Sequence, residues 1–477
     1  MDDKALEHHG RFSLDQLPPG SVVHFVGAGG AGMSAIATVL LQMGFKVEGS
    51  DLKESSYVRR LRDLGASVGI GHRAENVGGC KVVVRSSAIR GDNPEIIEAQ
   101  RRGLPVISRA KMLAAIMETR RGIAVAGTHG KTTTSSLVTC MLAGCGADPS
   151  YLIGGELNET GSNAHYGSGE FMVAEADESD GSLLYLRPEI VVLTNVDWDH
   201  LDYFDSPEQT ADVFRKFLEV IPLDGFAAIC GDDPRAREVG SDYRASGGKV
   251  VFYGRGADND YTFEITGRSA GGVSFTVSGP AGEIASMSTR LPGLHNAYNA
   301  LGAITVGCEL GLPVAGIASG IESCPGVRRR FEEVGERGGI KVIDDYAHHP
   351  TEVKAVMEIA ANLDAERVVV VFQPHRYTRT RMLCDQFGES FEGAGLVVVA
   401  DVYGAGEDPE PGVTGKLIAD SILEHDPEMS VAYFESRADL ARGVVGLIEP
   451  GDVVITMGAG DVTQCGREIL DLLDDEG

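Results

Sequence analysis

The stretch GIAVAGTHGKTTT, from Gly122 to Thr134, decides the fold prediction for the centre of this chain. It begins with small apolar residues that predict a buried strand, and a helical pattern follows its glycine-containing loop. In such a loop backbone N–H groups surround phosphates, a lysine reaches the β and γ oxygens, and a hydroxyl ligates Mg²⁺. The loop departs from the general pattern because Val125 stands where the first glycine belongs. We predict that it binds ATP through Gly127, Thr128, His129, Gly130, Lys131, Thr132 and Thr133.

Another glycine-rich loop, the first of the two along the chain, also lies between a strand and a helix. It consists of Gly27, Ala28, Gly29, Gly30, Ala31 and Gly32. The apolar run from Ser21 leads into it, and Asp51 ends the next short strand. A G-x-G-x-x-G loop lets a pyrophosphate approach bare backbone N–H groups at a helix N-terminus. Taken alone, it is consistent with a dinucleotide such as NAD or FAD, with another nucleotide diphosphate, or with a structural turn.

Acidic side chains follow two apolar strands downstream of the lysine-containing loop. EADESD ends the first strand and TNVDWDHLDYF follows the second, and together they contain Glu175, Asp177, Glu178, Asn195, Asp197, Asp199 and His200. Carboxylate oxygens are suitable ligands for Mg²⁺, and a neutral imidazole can complete a second cation site. Their position downstream of a phosphate-binding lysine predicts a metal site rather than a set of solvated surface charges.

Apolar strands alternate with helical patterns along the whole chain, which predicts an α/β fold with mostly parallel sheets. The stretch from Tyr261 to Ser288 alternates polar and apolar residues instead, and predicts antiparallel hairpins. Breaks at Arg120–Gly122 and at CPGVRRRFEEVG, a predicted linker that starts at Cys324, divide the chain into three domains. We place them at residues 1–120, 121–324 and 325–477.

The composition excludes several classes of partner. The 477 residues carry a net charge of −28, which disfavours binding to nucleic-acid polymers and to anionic membranes. No apolar run is long enough for a membrane span, and the N-terminus does not have the pattern of a signal peptide. Eight scattered cysteines without C-x-x-C spacing indicate reduced thiols. We therefore expect a cytoplasmic protein. We also expect a monomer or a homodimer, although composition does not distinguish the two.

Eight motifs occur in a fixed order: GAGGAGMS, GTHGKTTT, EADESD, NVDWDHLDYF, LPGLHNAYNA, RRRFE, DDYAHHP and FQPHRYTRT. This series resembles that of the Mur ligase family over nearly the whole chain, from about Val22 to Gly460. The first motif and the last two point to the members that add L-alanine. The resemblance implies a Rossmann-like N-terminal domain, a P-loop ATPase-type central domain and a Rossmann-like C-terminal domain. It also implies that ATP and Mg²⁺ drive ligation of L-alanine to the carboxylate of UDP-N-acetylmuramate, through an acyl phosphate, in peptidoglycan precursor synthesis.

The resemblance also implies roles for individual residues. UDP, rather than NAD, would bind the loop Gly27–Gly32, with further contacts from Asp51, His72 and Ser86. The implied catalytic residues are Lys131, Arg330, Asp345 and His348. ATP would also contact Asn296, Arg330 and Asp345, and the metal would be held by Thr132, Glu175 and His200. The amino acid would be bound by Tyr346, His348, Arg376 and Arg379.

The last two arginines stand three apart, so they can present a bidentate clamp to a carboxylate. We expect His348 to assist deprotonation of the amine. Three alternatives stay open at this point. An NAD-dependent oxidoreductase would explain the first glycine loop but not the ATP loop. A P-loop switch ATPase would explain the second loop alone. A recycling ligase that attaches a tripeptide to the same nucleotide would share nearly every motif.

Overall fold

The computed structural model describes residues 11–475 except 87, 159–160, 180, 200–203 and 205. The described residues form three sheets, of five, ten and six strands, that follow one another along the chain. No described helix has both the length and the apolar character needed to cross a membrane.

The first sheet is parallel throughout, with strand order β3-β2-β1-β4-β5. Its elements are β1 (Val22–Val26), α1 (Ala31–Gln42), β2 (Lys46–Asp51), α2 (Ser56–Asp63), β3 (Ser67–Ile70), β4 (Val82–Arg85), α3 (Pro94–Arg101), β5 (Val106–Ser108) and α4 (Arg109–Met117). Every residue of β4 is buried because helices cover both faces of the sheet. The order reverses between β1 and β4, and the first glycine loop leaves β1 at this point, where open α/β sheets bind ligands.

The second sheet has the order β15-β14-β13-β12-β11-β10-β6-β9-β7-β8. Its elements are β6 (Arg121–Ala126), α5 (Lys131–Gly144), β7 (Ser150–Leu152), β8 (Ala164–His165), β9 (Phe171–Glu175), β10 (Ile190–Leu193), α6 (Pro207–Leu218), β11 (Phe226–Cys230), α7 (Pro234–Ala245), β12 (Val250–Gly254), β13 (Tyr261–Ser269), β14 (Gly272–Gly279), β15 (Gly282–Thr289), α8 (Leu294–Glu309) and α9 (Val314–Ser323). Strand β6 lies between β9 and β10, so the two acidic segments flank the lysine-containing loop.

The third sheet has the order β16-β17-β21-β18-β19-β20. Its elements are β16 (Glu332–Arg337), β17 (Ile340–Asp345), α10 (Pro350–Ala360), β18 (Arg367–Phe372), α11 (Tyr377–Met382), α12 (Cys384–Gly388), β19 (Leu396–Ala400), α13 (Lys416–His425), β20 (Val431–Phe434), α14 (Arg437–Val445), β21 (Asp452–Met457) and α15 (Thr463–Asp475). All pairs are parallel except that of β16 with β17, and the strand order places β16 at the sheet edge.

The three-domain α/β prediction is confirmed by these sheets. The predicted hairpins are also confirmed, because β13, β14 and β15 pair antiparallel. The predicted linker from Cys324 is shorter than expected, since β16 begins at Glu332. Its charged residues can lie in a strand because an edge strand leaves one side to solvent, where charge also discourages pairing with other chains.

Candidate active site

The lysine-containing loop joins the end of β6 to the start of α5 at Lys131. Gly127 has φ +129° and Gly130 has φ +79°, which are backbone conformations that favour glycine. A Cβ on Gly130 would also lie only 2.7 Å from Oδ1 of Asn299. The loop therefore needs glycine at both positions, for its backbone angles and, at Gly130, for the close approach of helix α8.

The Lys131 ammonium lies inside the loop and is mostly buried. Its Nζ donates to the carbonyl oxygens of Gly127 (2.6 Å) and Thr128 (3.0 Å), and to Oε2 of Glu178 (2.9 Å). Burial alone would lower the pKa of this ammonium, but the nearby carboxylates of Glu178, Asp177 and Glu175 raise it above its usual value. Lys131 is therefore a fixed positive charge at the loop that sequence analysis assigned to phosphates.

Thr132 and Glu175 form the part of the predicted metal site that the structure describes. The Thr132 hydroxyl donates to Oε2 of Glu175 at 2.9 Å, and the Gly154 N–H donates to the same oxygen at 2.8 Å. Burial raises the pKa of Glu175, so its negative charge is poorly solvated. A hydroxyl and a buried carboxylate are hard oxygen ligands, and they fit Mg²⁺. His200, the third predicted ligand, lies outside the described residues.

Residues after β10 hold the backbone of His129, and sequence analysis gave them no role of this kind. The Asn195 side-chain oxygen accepts the His129 N–H at 2.9 Å, and the Thr194 hydroxyl donates to the His129 carbonyl at 2.6 Å. Asn195 was noticed only as a member of the acidic segment. The order β9-β6-β10 brings it to the loop, so strand order, rather than any local pattern, was the missing information.

A cavity of about 630 Å³ lies on one side of the lysine-containing loop. The predicted ATP contacts Gly130, Asn296, Arg330 and Asp345 all line it, together with apolar side chains such as Leu291. Asn296 donates to the Pro292 carbonyl at 2.7 Å and accepts from Asn299 at 3.1 Å. This cavity lies between the second and third domains, and its apolar and amide lining is compatible with a purine base.

Asp345 ends β17 and its carboxylate is almost completely buried. Its two oxygens accept backbone N–H groups of Ala347 (2.7 Å) and Phe331 (2.8 Å). Burial raises the pKa of Asp345 to about 6, although Arg330 opposes that shift. Phe331 has φ +53°, so this carboxylate stabilises an unfavourable backbone turn in the segment that leads into the third domain. The resemblance implies that Asp345 contacts ATP, and Asp345 does line the 630 Å³ cavity. The hydrogen bonds that its carboxylate accepts, however, come from backbone N–H groups of this chain.

Glu352 connects the second domain to the third, and the sequence analysis did not single it out. Its carboxylate lies 3.4 Å from Nδ1 of His129, 3.3 Å from Nδ1 of His348 and 3.9 Å from Nη1 of Arg330. These neighbours lower the pKa of Glu352 well below its usual value in spite of burial. The residue is the third of helix α10, after the N-cap His349, and an acid there favours a helix start. The capping pattern could have drawn attention to Glu352, but not to its partner His129.

His129 lies on the other side of this contact. Burial would lower its pKa, but hydrogen bonds to Asp197 and Glu352 raise the pKa to about 9. The His349 ring stands 4.8 Å from the His129 ring, and burial lowers the pKa of His349 to about 4. At neutral pH a cationic His129 therefore faces Asp197 of its own domain and, across the domain boundary, Glu352 and a neutral His349.

The residues predicted to bind the amino acid line a second cavity, of about 910 Å³. Arg379 is buried, and its Nη2 and Nε both donate to Oδ1 of Asp199, at 2.6 and 3.3 Å. Arg376 has φ +69° at the start of α11 and lies 3.9 Å from Glu407. The prediction of a two-arginine clamp is therefore modified. A substrate carboxylate can bind Arg376. Nε and Nη2 of Arg379 already donate to Asp199, so a substrate carboxylate would share these two nitrogens with Asp199.

Tyr346 and His348 also line the second cavity, with the His348 Nδ1 3.0 Å from the Tyr346 carbonyl oxygen. Because a carbonyl only accepts, Nδ1 carries the proton in the neutral ring and Nε2 is left as an acceptor. Burial lowers the pKa of His348 to about 4, so the ring is neutral at physiological pH.

The first glycine loop is held by Asp51, as strand β2 ends beside it. Oδ2 of Asp51 accepts the Gly29 N–H at 2.8 Å, and a Cβ on Gly29 would come within 2.9 Å of the same oxygen. Ser86 lies beside Gly27, 3.3 Å from where a Cβ would stand. His72 bonds the Ser50 hydroxyl at 2.8 Å, and that hydroxyl donates to the buried Glu95. Asp51 and Ser86 thus lie beside the first glycine loop, and Asp51 bonds to its backbone, whereas the side chain of His72 bonds Ser50 of strand β2.

Three models of the Mur ligase family match successive parts of the chain. They are described as the Mur ligase family catalytic domain over residues 22–121, the middle domain over residues 125–307, and the glutamate ligase domain over residues 329–460. A UDP-N-acetylmuramate–L-alanine ligase of Pelotomaculum thermopropionicum is 46% identical over 452 residues, which cover 94% of this chain and 96% of that protein.

Two solved structures share the architecture. The UDP-N-acetylmuramate-alanine ligase of Thermotoga maritima matches with a TM-score of 0.79 and 28% identity, covering 95% of this chain and 99% of that one. A murein peptide ligase of Psychrobacter arcticus matches in fold, with a TM-score of 0.69 and 23% identity over 95% of this chain and 99% of that one. The loops, the three sheets and the matched family models agree, and this chain belongs to the Mur ligase family.

Proposed function

We propose that this protein uses ATP to join L-alanine to the carboxylate of UDP-N-acetylmuramate, forming ADP and phosphate, in peptidoglycan precursor synthesis. One observation carries the proposal: residues of all three domains line the 910 Å³ cavity. Ala31 comes from the first, Lys131 and Glu175 from the second, and His348 and Arg376 from the third. A reaction with three substrates needs such convergence, and the Pelotomaculum and Thermotoga proteins, which match nearly the full chain, carry this activity in their names.

The first step must activate a carboxylate, which is a poor electrophile because it already carries negative charge. We propose that Lys131 and Arg330 hold the transferring phosphoryl group between the two cavities, and that phosphorylation of the carboxylate gives an acyl phosphate. Mg²⁺ held by Thr132 and Glu175 would neutralise charge on the phosphates. Domain closure over the cleft would keep water from the acyl phosphate.

The second step is attack by the amine of L-alanine. Arg376 would hold the substrate carboxylate, and the His348 Nε2 would accept a hydrogen bond from the amine. A pKa of about 4 makes His348 a weak base, so it suits a proton that is lost as the C–N bond forms, when the nitrogen has become strongly acidic. The same cations would stabilise the tetrahedral oxyanion.

The remaining assignments complete the proposal. We retain domain limits at residues 120/121 and 324/325, and we place the reaction in the cytoplasm, where ATP is available. We propose that the protein is a monomer or a homodimer. The individual site roles, including those of His72, Ser86 and Asn296, are part of the same proposal.

The test is phosphate release from ATP with UDP-N-acetylmuramate as acceptor and either L-alanine or a tripeptide as the amine. We expect turnover with L-alanine and much less with the tripeptide. Preference for the tripeptide would instead identify a recycling ligase. Release that requires neither amine would indicate a switch ATPase, and hydride transfer to a nicotinamide cofactor would indicate an oxidoreductase.

A further inference from the structure

A third cavity, of about 230 Å³, lies between the first and second domains, and we call it the side pocket. Its lining includes Ala31, Gly32 and Arg109 from the first domain, and Asn163, Glu175 and Asp177 from the second. The Asn163 amide donates to the Ala31 carbonyl at 3.3 Å, which joins the two domains at the pocket wall. The side pocket therefore runs from the end of the first glycine loop to the carboxylate assigned to Mg²⁺.

Arg109 is the first residue of helix α4, and its side chain lies on the loop. A Cβ on Gly32 would overlap Nη1 of Arg109 and would stand 3.2 Å from its Cδ and 3.4 Å from its Cζ. Gly32 sits in the first turn of α1 with no need for a positive φ, so backbone freedom does not explain the glycine. The absent side chain makes room for the guanidinium of Arg109.

This guanidinium has no hydrogen bond or ion pair with any residue in the described part of the chain, although it is half-buried. Arginine stays charged at every physiological pH, and a partly desolvated charge without a partner is costly. The chain supplies Glu175 and Asp177 in the same pocket without pairing either one to it. A positive charge beside the backbone N–H groups of a glycine loop is the arrangement of a binding site for an anionic ligand.

We propose that Arg109 is a substrate-binding residue that contacts the pyrophosphate of the nucleotide substrate, which rests on the proposed function. The backbone N–H groups at the start of helix α1 hold the pyrophosphate from one side, and the planar guanidinium holds it from the other with paired N–H donors. The sugar and its carboxylate then extend through the side pocket toward Glu175 and Lys131. Arg109 thus positions the nucleotide substrate so that the carboxylate of this substrate reaches the phosphoryl group of ATP.

The test uses calorimetric binding of UDP and of uridine, which needs no turnover. We expect R109M to raise the Kd of UDP about 10- to 100-fold, as for a charge-assisted contact to phosphate, and to leave uridine binding unchanged. R109K, which keeps the charge but not the fork, should fall between the two. The control is R59M, which removes an exposed arginine from α2 of the same domain.

G32A provides a second variant that leaves Arg109 in the chain but displaces its guanidinium. It should weaken UDP binding as R109M does, and the double variant should be little worse than either, because both remove one contact. UDP binding within twofold of the wild-type value in folded R109M and G32A would overturn the proposal. A loss confined to the KM of UDP-N-acetylmuramate, with UDP binding intact, would also overturn it, because Arg109 would then contact the sugar carboxylate. UDP binding that depends on Arg109 in a chain without ligase turnover would support this contact while contradicting the proposed function.

Discussion

The two glycine-rich loops have the same local architecture, strand, loop and helix, but they differ in what surrounds them. The loop Gly127–Lys131 carries its own cation and is enclosed by Glu178, Asn195 and Glu352, partly from another domain. The loop Gly27–Gly32 carries no charged residue itself, and Asp51 and Arg109 are the charged side chains described at its backbone. A loop that catalyses phosphoryl transfer needs fixed charge, whereas a loop that only binds a diphosphate can use backbone N–H groups. We therefore expect the loop Gly127–Lys131 to take part in catalysis and the loop Gly27–Gly32 to serve binding alone. The following experiments test this difference between the two loops.

The largest effect should follow from K131A. Removing the Lys131 ammonium from the loop should lower the rate of ATP-dependent phosphate release by about 1,000-fold or more, because its charge neutralisation on the phosphates is lost. UDP binding, measured by calorimetry, should stay within twofold. Loss of UDP binding as well would show that the two loops do not act as separate sites.

E352Q should give the next largest effect. It keeps the shape of the side chain but removes the charge between His129, His348 and Arg330, so the third domain is less well positioned over the loop. We expect kcat to fall about 10- to 100-fold, as for a misplacement of catalytic groups. The control is E358Q, further along the same helix on its exposed face. A kcat equal to that of wild type would remove Glu352 from the site.

G29A tests the first loop. The new Cβ would lie 2.9 Å from both Asp51 Oδ2 and Val58 Cγ2, so the loop must shift, at a cost of about 1–3 kcal/mol. We expect UDP to bind about tenfold more weakly while the KM for ATP is unchanged. The matched control is G30A, because Gly30 has φ −75° and its nearest neighbour would stand 3.8 Å away. Equal effects of the two changes would contradict the tight packing at Gly29.

The smallest effect concerns pH and the second loop. The pKa of His129 is raised to about 9 in the folded chain, against an ordinary value near 6.5, so its contribution is complete below pH 6.5 and is lost as pH rises through 9. Asp197 and Glu352 face it as carboxylates, and His349 faces it as a neutral ring. Between pH 7 and 10 the thermal midpoint of wild type should therefore fall more than that of H129Q. The difference should correspond to about 1 kcal/mol in the free energy of unfolding after solvent screening. Parallel curves would show that His129 is not the titrating group.

Much of the site could be predicted from the sequence because its signals are local. The order of strand, loop and helix around Lys131, and the acids at the ends of β9 and β10, each occupy a few consecutive residues. Where the sequence analysis was incomplete, the reason is distance along the chain. Glu352 meets His129, and Arg379 meets Asp199, across gaps that no periodicity or spacing reports.

The sequence by itself therefore determined that this chain has two glycine-containing loops between a strand and a helix, three α/β domains and a motif order typical of Mur ligases. Only the tertiary structure decided which charges those loops meet. It placed Asp51 on the backbone of Gly29, paired Arg379 with Asp199, and laid Arg109 over Gly32. The physical reason is that local patterns report burial and backbone conformation, while electrostatic partners are chosen by how the domains pack.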